Sequence, residues 1–205
     1  MIQEGDTFEW RGQTLPYLVH DYNTTALNER AIEVPIAYWW AQHFEMMDPD
    51  VLEVGNVLNH YGWADHRVID LYEVAEGVEN IDLLDLEPLG DEYDRIVCIS
   101  TLEHFNCRDD GLVDDWSPIQ GLMKLFNLLK HGGEMLVTIP FGQNPYLDVF
   151  LLDGMPSQTW LRPTEQSTME RWGDGTWHER PGAHWGPARE MGWPSAVWVA
   201  TWTKP

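Results

Sequence analysis

Short apolar runs, set apart by turn-forming and helical segments, constrain this chain more than any other feature. Residues 51–55, 67–71, 77–82, 93–100 and 134–140 each read as a strand. Residues 118–129 read as a helix with Leu122, Leu125, Phe126 and Leu129 on one face. This β-α-β rhythm predicts an α/β fold with a mostly parallel sheet. In such sheets ligands sit beyond the carboxyl ends of the strands, near the switch point. The stretch from Val51 to Gly62 has the matching form: an apolar run that empties into a loop rich in Gly and Asn. Glu53 lies inside the run, where an ionised side chain costs several kcal/mol unless something satisfies it. Gly55 lets backbone pass close to a ligand with no Cβ in the way.

A length of 205 residues supports one domain with a full core. The expected organisation is an N-terminal hairpin and helical lid over residues 1–50, a core over 51–140, and a Trp-rich cap with a last strand over 141–205. The 34 acidic and 12 basic residues give a net charge of −22, which repels phosphate backbones, so nucleic acid is not expected as a partner. No apolar run approaches the roughly 20 residues that span a bilayer, and the acidic start lacks a signal-peptide pattern, so no membrane association and a cytoplasmic location are expected. Cys98 and Cys107 are expected as reduced thiols, and the absence of CxxC and HExxH patterns argues against a structural zinc site.

Before the first strand, residues 7–15 read as a hairpin turning at Arg11-Gly12. A helix is expected from about residue 26 to 47, capped by Asn23 or Thr24 and kinked or split at Pro35. Lys130-His131-Gly132-Gly133 is expected to close the helix over 118–129, with cations at its end and glycine beyond. The tail holds seven of the twelve tryptophans and a last strand at 196–202. Those rings could form a platform for a sugar, although filling the core is the stronger expectation.

The strand ends carry polar groups in a definite order. Asp70 ends the second strand, where one carboxylate can accept both hydroxyls of a ribose. Asp82 and Leu83 end the third and suit an adenine, with a polar edge and an apolar wall. Ser100 ends the fourth and leads to Leu102-Glu103-His104, where an imidazole could take a proton near neutral pH.

Together these pieces resemble the class I S-adenosylmethionine-dependent methyltransferases. The resemblance runs over residues 50–140, through Val51-Leu52-Glu53-Val54-Gly55, Val68-Ile69-Asp70, Asp82-Leu83-Leu84-Asp85-Leu86, Tyr93-Asp94-Arg95-Ile96-Val97, Leu102-Glu103-His104 and the stretch from Leu128 to Val137. Tyr22-Asn23-Thr24, Asn28-Glu29-Arg30-Ala31-Ile32-Glu33 and the segment from Pro140 to Pro145 are similar to a bacterial and phage branch of that superfamily. The resemblance implies a Rossmann-like class I methyltransferase fold, α/β with a mostly parallel central sheet and an antiparallel C-terminal strand. It implies S-adenosylmethionine as cofactor, held by Glu53, Gly55, Asn56, Asp70, Leu71, Asp82, Leu83 and Ser100. The acceptor is expected to be a small molecule, such as a hydroxyl on a sugar or another metabolite. His104 is the expected base, and Tyr22, His20 and Asn144 are placed on the substrate side by the loops they occupy.

Two departures qualify the pattern. The family's loop is GxGxG; here Gly55 matches the first glycine, while Val57 and Asn59 stand at the others. Side chains there crowd the methionine part of the cofactor or force a different loop path. A binding or structural module without activity is therefore the second reading. Small-RNA 3′-end methyltransferases place Glu-x-x-Glu-His after the fourth strand to hold a divalent ion; this chain has Ser100-x-x-Glu103-His104, so no metal is expected.

Overall fold

The apolar runs pair edge to edge in the computed structural model, which describes residues 2–43, 49–63, 65–87, 93–105, 116–152, 161–184 and 194–205. Strands β1 (Thr7–Trp10) and β2 (Gln13–Pro16) form a separate hairpin. The main sheet contains β3 (Val51–Val54), β4 (Arg67–Ile69), β5 (Val78–Glu79), β6 (Tyr93–Ile99), β7 (Leu129–Pro140), β8 (Glu165–Arg171), β9 (Trp177–Pro181) and β10 (Ala196–Thr203). Its order is β5-β4-β3-β6-β7-β10-β8-β9. Strands β5, β4, β3, β6 and β7 are parallel neighbours, and β10 runs antiparallel between β7 and β8. This is the Rossmann-like arrangement expected from the sequence, with its antiparallel C-terminal strand. The chain leaves β3 towards β4 and β5, then returns to the other flank of β3 as β6. The switch point thus lies between β3 and β6.

Alternation along β6 and β10 divides the core between the two faces of the sheet. Ile96 and Cys98 join Trp198 and Trp202 on the face covered by helix α2 (Ser117–Leu128). Val97 and Ile99 join Val197 and Val199 on the face covered by helix α1 (Arg30–Gln42) and the β1–β2 hairpin. A third helix, α3 (Pro145–Leu152), follows β7. Among the described residues no helix is long and apolar enough to cross a membrane.

Several local expectations change. The hairpin turns at Arg11-Gly12, with both residues at positive φ (49° and 71°), the geometry that suits the right-handed twist of a two-residue loop. Helix α1 begins at Arg30 and not near residue 26. Asn23 and Thr24 do not cap it: both take left-handed backbone angles within a short 3-10 turn over Tyr22–Leu27, whereas a cap needs an extended conformation. The side chain of Asn28 serves instead, its Oδ1 accepting from Arg30 N at 3.0 Å. Pro35 sits inside α1 without splitting it. The carbonyl its missing N–H would have engaged, that of Ala31, accepts from Leu18 N at 2.9 Å, so the β2 exit satisfies the gap. The expected helical residues 44–47 lie outside the described ones, as does Cys107. Helix α2 stops at Leu128 and β7 begins at once, so Lys130 is a strand residue. It pairs with Asp94 at 3.0 Å and with Asp50, and does not close the helix. In the tail, Trp177, Trp198 and Trp202 are buried and Trp172 is exposed; Trp160, Trp185 and Trp193 lie outside the described residues.

Candidate functional site

The turn after β3 is built on Glu53, which is fully buried. Its Oε1 accepts from Val57 N (2.8 Å) and Leu58 N (2.7 Å), and its Oε2 lies 2.6 Å from His66 Nε2. Those three partners explain how a carboxylate survives in an apolar run: it closes the turn from below. Gly55 has φ +85, and a Cβ there would lie 2.1 Å from Thr101 Oγ1, so conformation and packing both require glycine. Beyond it the chain departs from a glycine-rich path. Val57 leads into a tight 3-10 turn, Leu58–Tyr61, which ends at Gly62 with φ +90. The bulk at Val57 and Asn59 is accommodated by this tighter course.

Above the turn lies a cavity of about 550 Å³ at the carboxyl ends of β3, β4, β5 and β6. Of the residues expected from the sequence, Gly55, Asn56, Asp70, Leu71, Asp82, Leu83, Ser100, His104 and Tyr22 line it. Glu53, His20 and Asn144 are not in the lining. Asn144 is buried, with its amide donating to Glu103 O and its Oδ1 accepting from Leu147 N at 3.1 Å, which starts α3. His20 packs edge-on against Tyr61, at 5.4 Å between ring centroids, and its Nδ1 accepts from Tyr22 N.

On the β4–β5 side, the Asp70 carboxylate organises backbone. Oδ1 accepts from Tyr72 N and Glu73 N, both at 2.8 Å, and Oδ2 from Asn56 N at 3.2 Å. Each carboxylate oxygen can accept more than one bond, so capacity remains on Oδ2. Asp82 uses Oδ1 to hold Leu84 N at 2.9 Å. Ile81, Leu83 and Leu84 supply an apolar wall beside it. The sequence reading missed Glu73, whose Oε1 accepts from Asn56 Nδ2 (2.8 Å) and lies 2.8 Å from His60 Nε2. Tyr22 stacks on His60 at 4.4 Å, which joins the turn before α1 to this side of the cavity.

On the β6 side, α1 brings charge into the wall. Glu33 is fully buried; its Oε1 accepts from Ser100 Oγ (2.6 Å) and Thr138 Oγ1 (2.7 Å), and its Oε2 from Arg30 Nη1 (2.5 Å). The hydroxyl proton of Ser100 is thereby committed to Glu33, and Ser100 itself is held at φ 43. Burial alone would lower the Arg30 guanidinium, but Glu33, Glu29 and Glu103 override it and hold its pKa above the ordinary value. Burial pushes the Glu103 carboxyl well above the usual range, and Glu33 adds to the rise. Burial lifts Glu29 to about 7, again with a contribution from Glu33. His104 stands at the cavity with its side chain 67% exposed and Nε2 3.7 Å from Glu103 Oε1; partial desolvation, then the Arg30 charge, lowers its pKa from the ordinary value. Arg30 and Glu33 fall in the Asn28–Glu33 segment that resembles the family branch, but the sequence attached no role to either; an i, i+3 pair on a helix reads equally as a solvated face. Among the described residues no group of three or more His, Cys, Asp or Glu side chains is placed to hold a metal ion.

No family model matches the chain, and no curated protein matches its sequence. Solved structures with a similar fold include a SAM-dependent methyltransferase from Thermotoga maritima, at 14% identity and TM-score 0.45, covering 83% of this chain and 89% of that one. The N-methyltransferase NodS from Bradyrhizobium japonicum, in complex with S-adenosyl-L-homocysteine, is similar at 11% identity and TM-score 0.44, covering 76% and 78%. A SAM-dependent methyltransferase from Methanosarcina mazei is similar at 12% identity and TM-score 0.43, covering 80% and 96%. The fold itself is carried by the strand order and directions described above.

Proposed function

We propose that this protein is an S-adenosylmethionine-dependent methyltransferase acting on a hydroxyl of a small molecule, such as a sugar or another metabolite. The observation that carries the reading is the cavity at the switch point, which gathers Gly55, Asp70 and Asp82 on one side and His104 on the other. Its volume is within the range of small-ligand sites. The residues present suit the cofactor: Asp70 Oδ2 and the second oxygen of Asp82 are acceptors for hydroxyl and amino groups, Leu83 and Ile81 offer an apolar wall, and Gly55 leaves room for close approach. Glu53 supports this set from beneath by fixing the Val57 and Leu58 amides. Leu71 and Asn56 complete the nucleoside side, and Ser100 forms part of the opposite wall.

When bound, the cofactor supplies a methyl group made electrophilic by its sulfonium. The chain's own contribution is alignment and proton removal. With the cofactor bound, the acceptor oxygen would take the methyl group as the carbon–sulfur bond broke, and the hydroxyl proton would pass to the neutral imidazole of His104. In-line displacement gains most from positioning, so a rigid wall matters more than strong acid–base chemistry. Tyr22 is the acceptor-side residue on the lid, with His20 acting through its contact to the Tyr22 backbone.

Calorimetric titration with S-adenosylmethionine and S-adenosylhomocysteine tests the reading. Micromolar binding, weakened by Asp82→Asn, supports it; no heat with either ligand from folded protein overturns it. Val57 and Asn59 at the glycine positions favour the second reading, a binding module without activity. That reading is supported by cofactor binding with no methyl transfer across hydroxylated acceptors.

A further inference from the structure

One guanidinium enters the cavity wall. Among the described lining residues, Arg30 is the single arginine or lysine. The carboxylates of Asp70, Glu73 and Asp82 belong to the β4–β5 side of the switch point. Arg30 belongs to the other side, since its partner Glu33 is fixed to Ser100 after β6 and Thr138 on β7. The side chain is only 14% exposed, so it is held in place and does not sweep through solvent.

That anchoring uses one nitrogen. Nη1 donates to Glu33, and among the described residues Nε and Nη2 have no such partner. A guanidinium presents five N–H donors in a fixed fork, and the Nε–Nη2 edge matches the two oxygens of a carboxylate. The charge balance permits an anion there. Were Glu29, Glu33 and Glu103 all ionised, the wall would repel one. Burial pushes the Glu103 carboxyl well above the usual range and lifts Glu29 to about 7, so both oppose an anion less than ordinary carboxylates would, and Glu33 is already paired with Arg30.

We propose that Arg30 is the docking residue for a carboxylate carried into the cavity by a bound ligand, beside His104. The inference rests on the methyltransferase reading of the same cavity. The carboxylate can be that of the cofactor's amino-acid part or one on the acceptor, which would then be a small hydroxy acid. Docking has a consequence at His104. A bound carboxylate offsets the field of Arg30, so the imidazole becomes a stronger base when the ligand is in place.

The test is the NMR titration of His104 in the full chain, with acetate, S-adenosylhomocysteine and methylthioadenosine as probes. Methylthioadenosine has the same nucleoside and thioether but no carboxylate. Acetate is expected to bind saturably and to raise the His104 midpoint by about one pH unit, the lower end of what a neighbouring charge does. Arg30→Gln is expected to abolish that response and to raise the midpoint in the absence of any probe; Arg30→Lys keeps the charge but not the fork, and weakens acetate binding. If S-adenosylhomocysteine raises the midpoint and acetate then adds nothing, while the methylthioadenosine complex still responds to acetate, the carboxylate is the cofactor's. If acetate still acts with S-adenosylhomocysteine bound, it is the acceptor's. The proposal is overturned if neither acetate nor S-adenosylhomocysteine moves His104 in the wild type, or if Arg30→Gln responds as the wild type does. Failure of both nucleosides to bind would count against the methyltransferase reading alone, because the acetate arm still decides Arg30.

Discussion

Gly55 and Thr101 compete for one patch of space: a Cβ on Gly55 would fall 2.1 Å from Thr101 Oγ1 and 3.1 Å from Thr101 Cβ. The turn after β3 and the turn after β6 therefore interlock, and the two walls of the cavity are positioned together. Gly55→Ala meets this contact and also a φ of +85, which L side chains rarely adopt. The left-handed backbone costs about 1 kcal/mol and the overpacking about 1–3 kcal/mol more. Urea denaturation should show a loss of about 3 kcal/mol. Thr101→Ala in the same chain should recover part of the loss by removing Oγ1, and the backbone share should persist.

A different strain is stored at Ser100, a non-glycine residue at φ 43 whose hydroxyl donates to buried Glu33. Ser100→Ala loses that bond and keeps the strain; Ser100→Gly loses the bond and removes the strain. A hydrogen bond to a charged group contributes about 1.5–3 kcal/mol, and left-handed backbone costs about 1 kcal/mol. The alanine variant should thus be about 1 kcal/mol less stable than the glycine variant by urea denaturation. Equal stabilities would mean that the backbone at this position relaxes freely.

How much of this was legible in the sequence varies with how local each signal is. β3 and β6 are runs apolar on both faces, so their place in a parallel sheet could be read directly. The hairpin of β8 and β9 could not: Glu165-Gln166-Ser167-Thr168 is polar, and the burial of Ser167 and Thr168 depends on β10 covering one edge. Asp70, Asp82 and Gly55 were legible because each sits where a strand ends. Arg30 and Glu33 were visible only as part of a segment that resembles the family branch, with no role attached to either. Nothing local says that this pair turns inward, because Ser100 and Thr138, which fix Glu33, lie 67 and 105 residues away in sequence. Asn144 was misleading for the converse reason: a polar residue in a loop after a strand reads as a ligand contact, and it turns out to open a helix.

Glu29 makes stability fall as pH rises. Its pKa is lifted to about 7 by burial and by Glu33, from an ordinary 4.5. The folded state therefore holds a proton that the unfolded state has lost between those values. The contribution is fully present below pH 4.5, declines through the window up to about 7, and is gone above it. Glu29→Gln removes the ionisation and should stabilise the protein at pH 8 by on the order of 2 kcal/mol, with little gain at pH 4. Urea denaturation at the two pH values checks this. An equal effect at both would show that Glu29 titrates as it does in the unfolded chain.

His104 sets the acid limb of activity under the proposed reading. Partial desolvation of a side chain that is still 67% exposed, together with the Arg30 charge, lowers its pKa from the ordinary 6.5, which favours the free base. As pH falls through that lowered pKa, the base is protonated and turnover should drop with a single proton dependence and a midpoint below 6.5. Stability has the same sign: the folded state binds this proton less readily than the unfolded one, so the His104 contribution is present above the unfolded value and lost as pH falls. His104→Gln keeps a polar side chain at the cavity but cannot take the proton. It should lower kcat by roughly 10²–10⁴-fold and leave S-adenosylhomocysteine affinity within about twofold, since the loss is confined to proton transfer. Loss of cofactor affinity with kcat retained would instead make His104 a binding residue, and the base would have to be sought elsewhere.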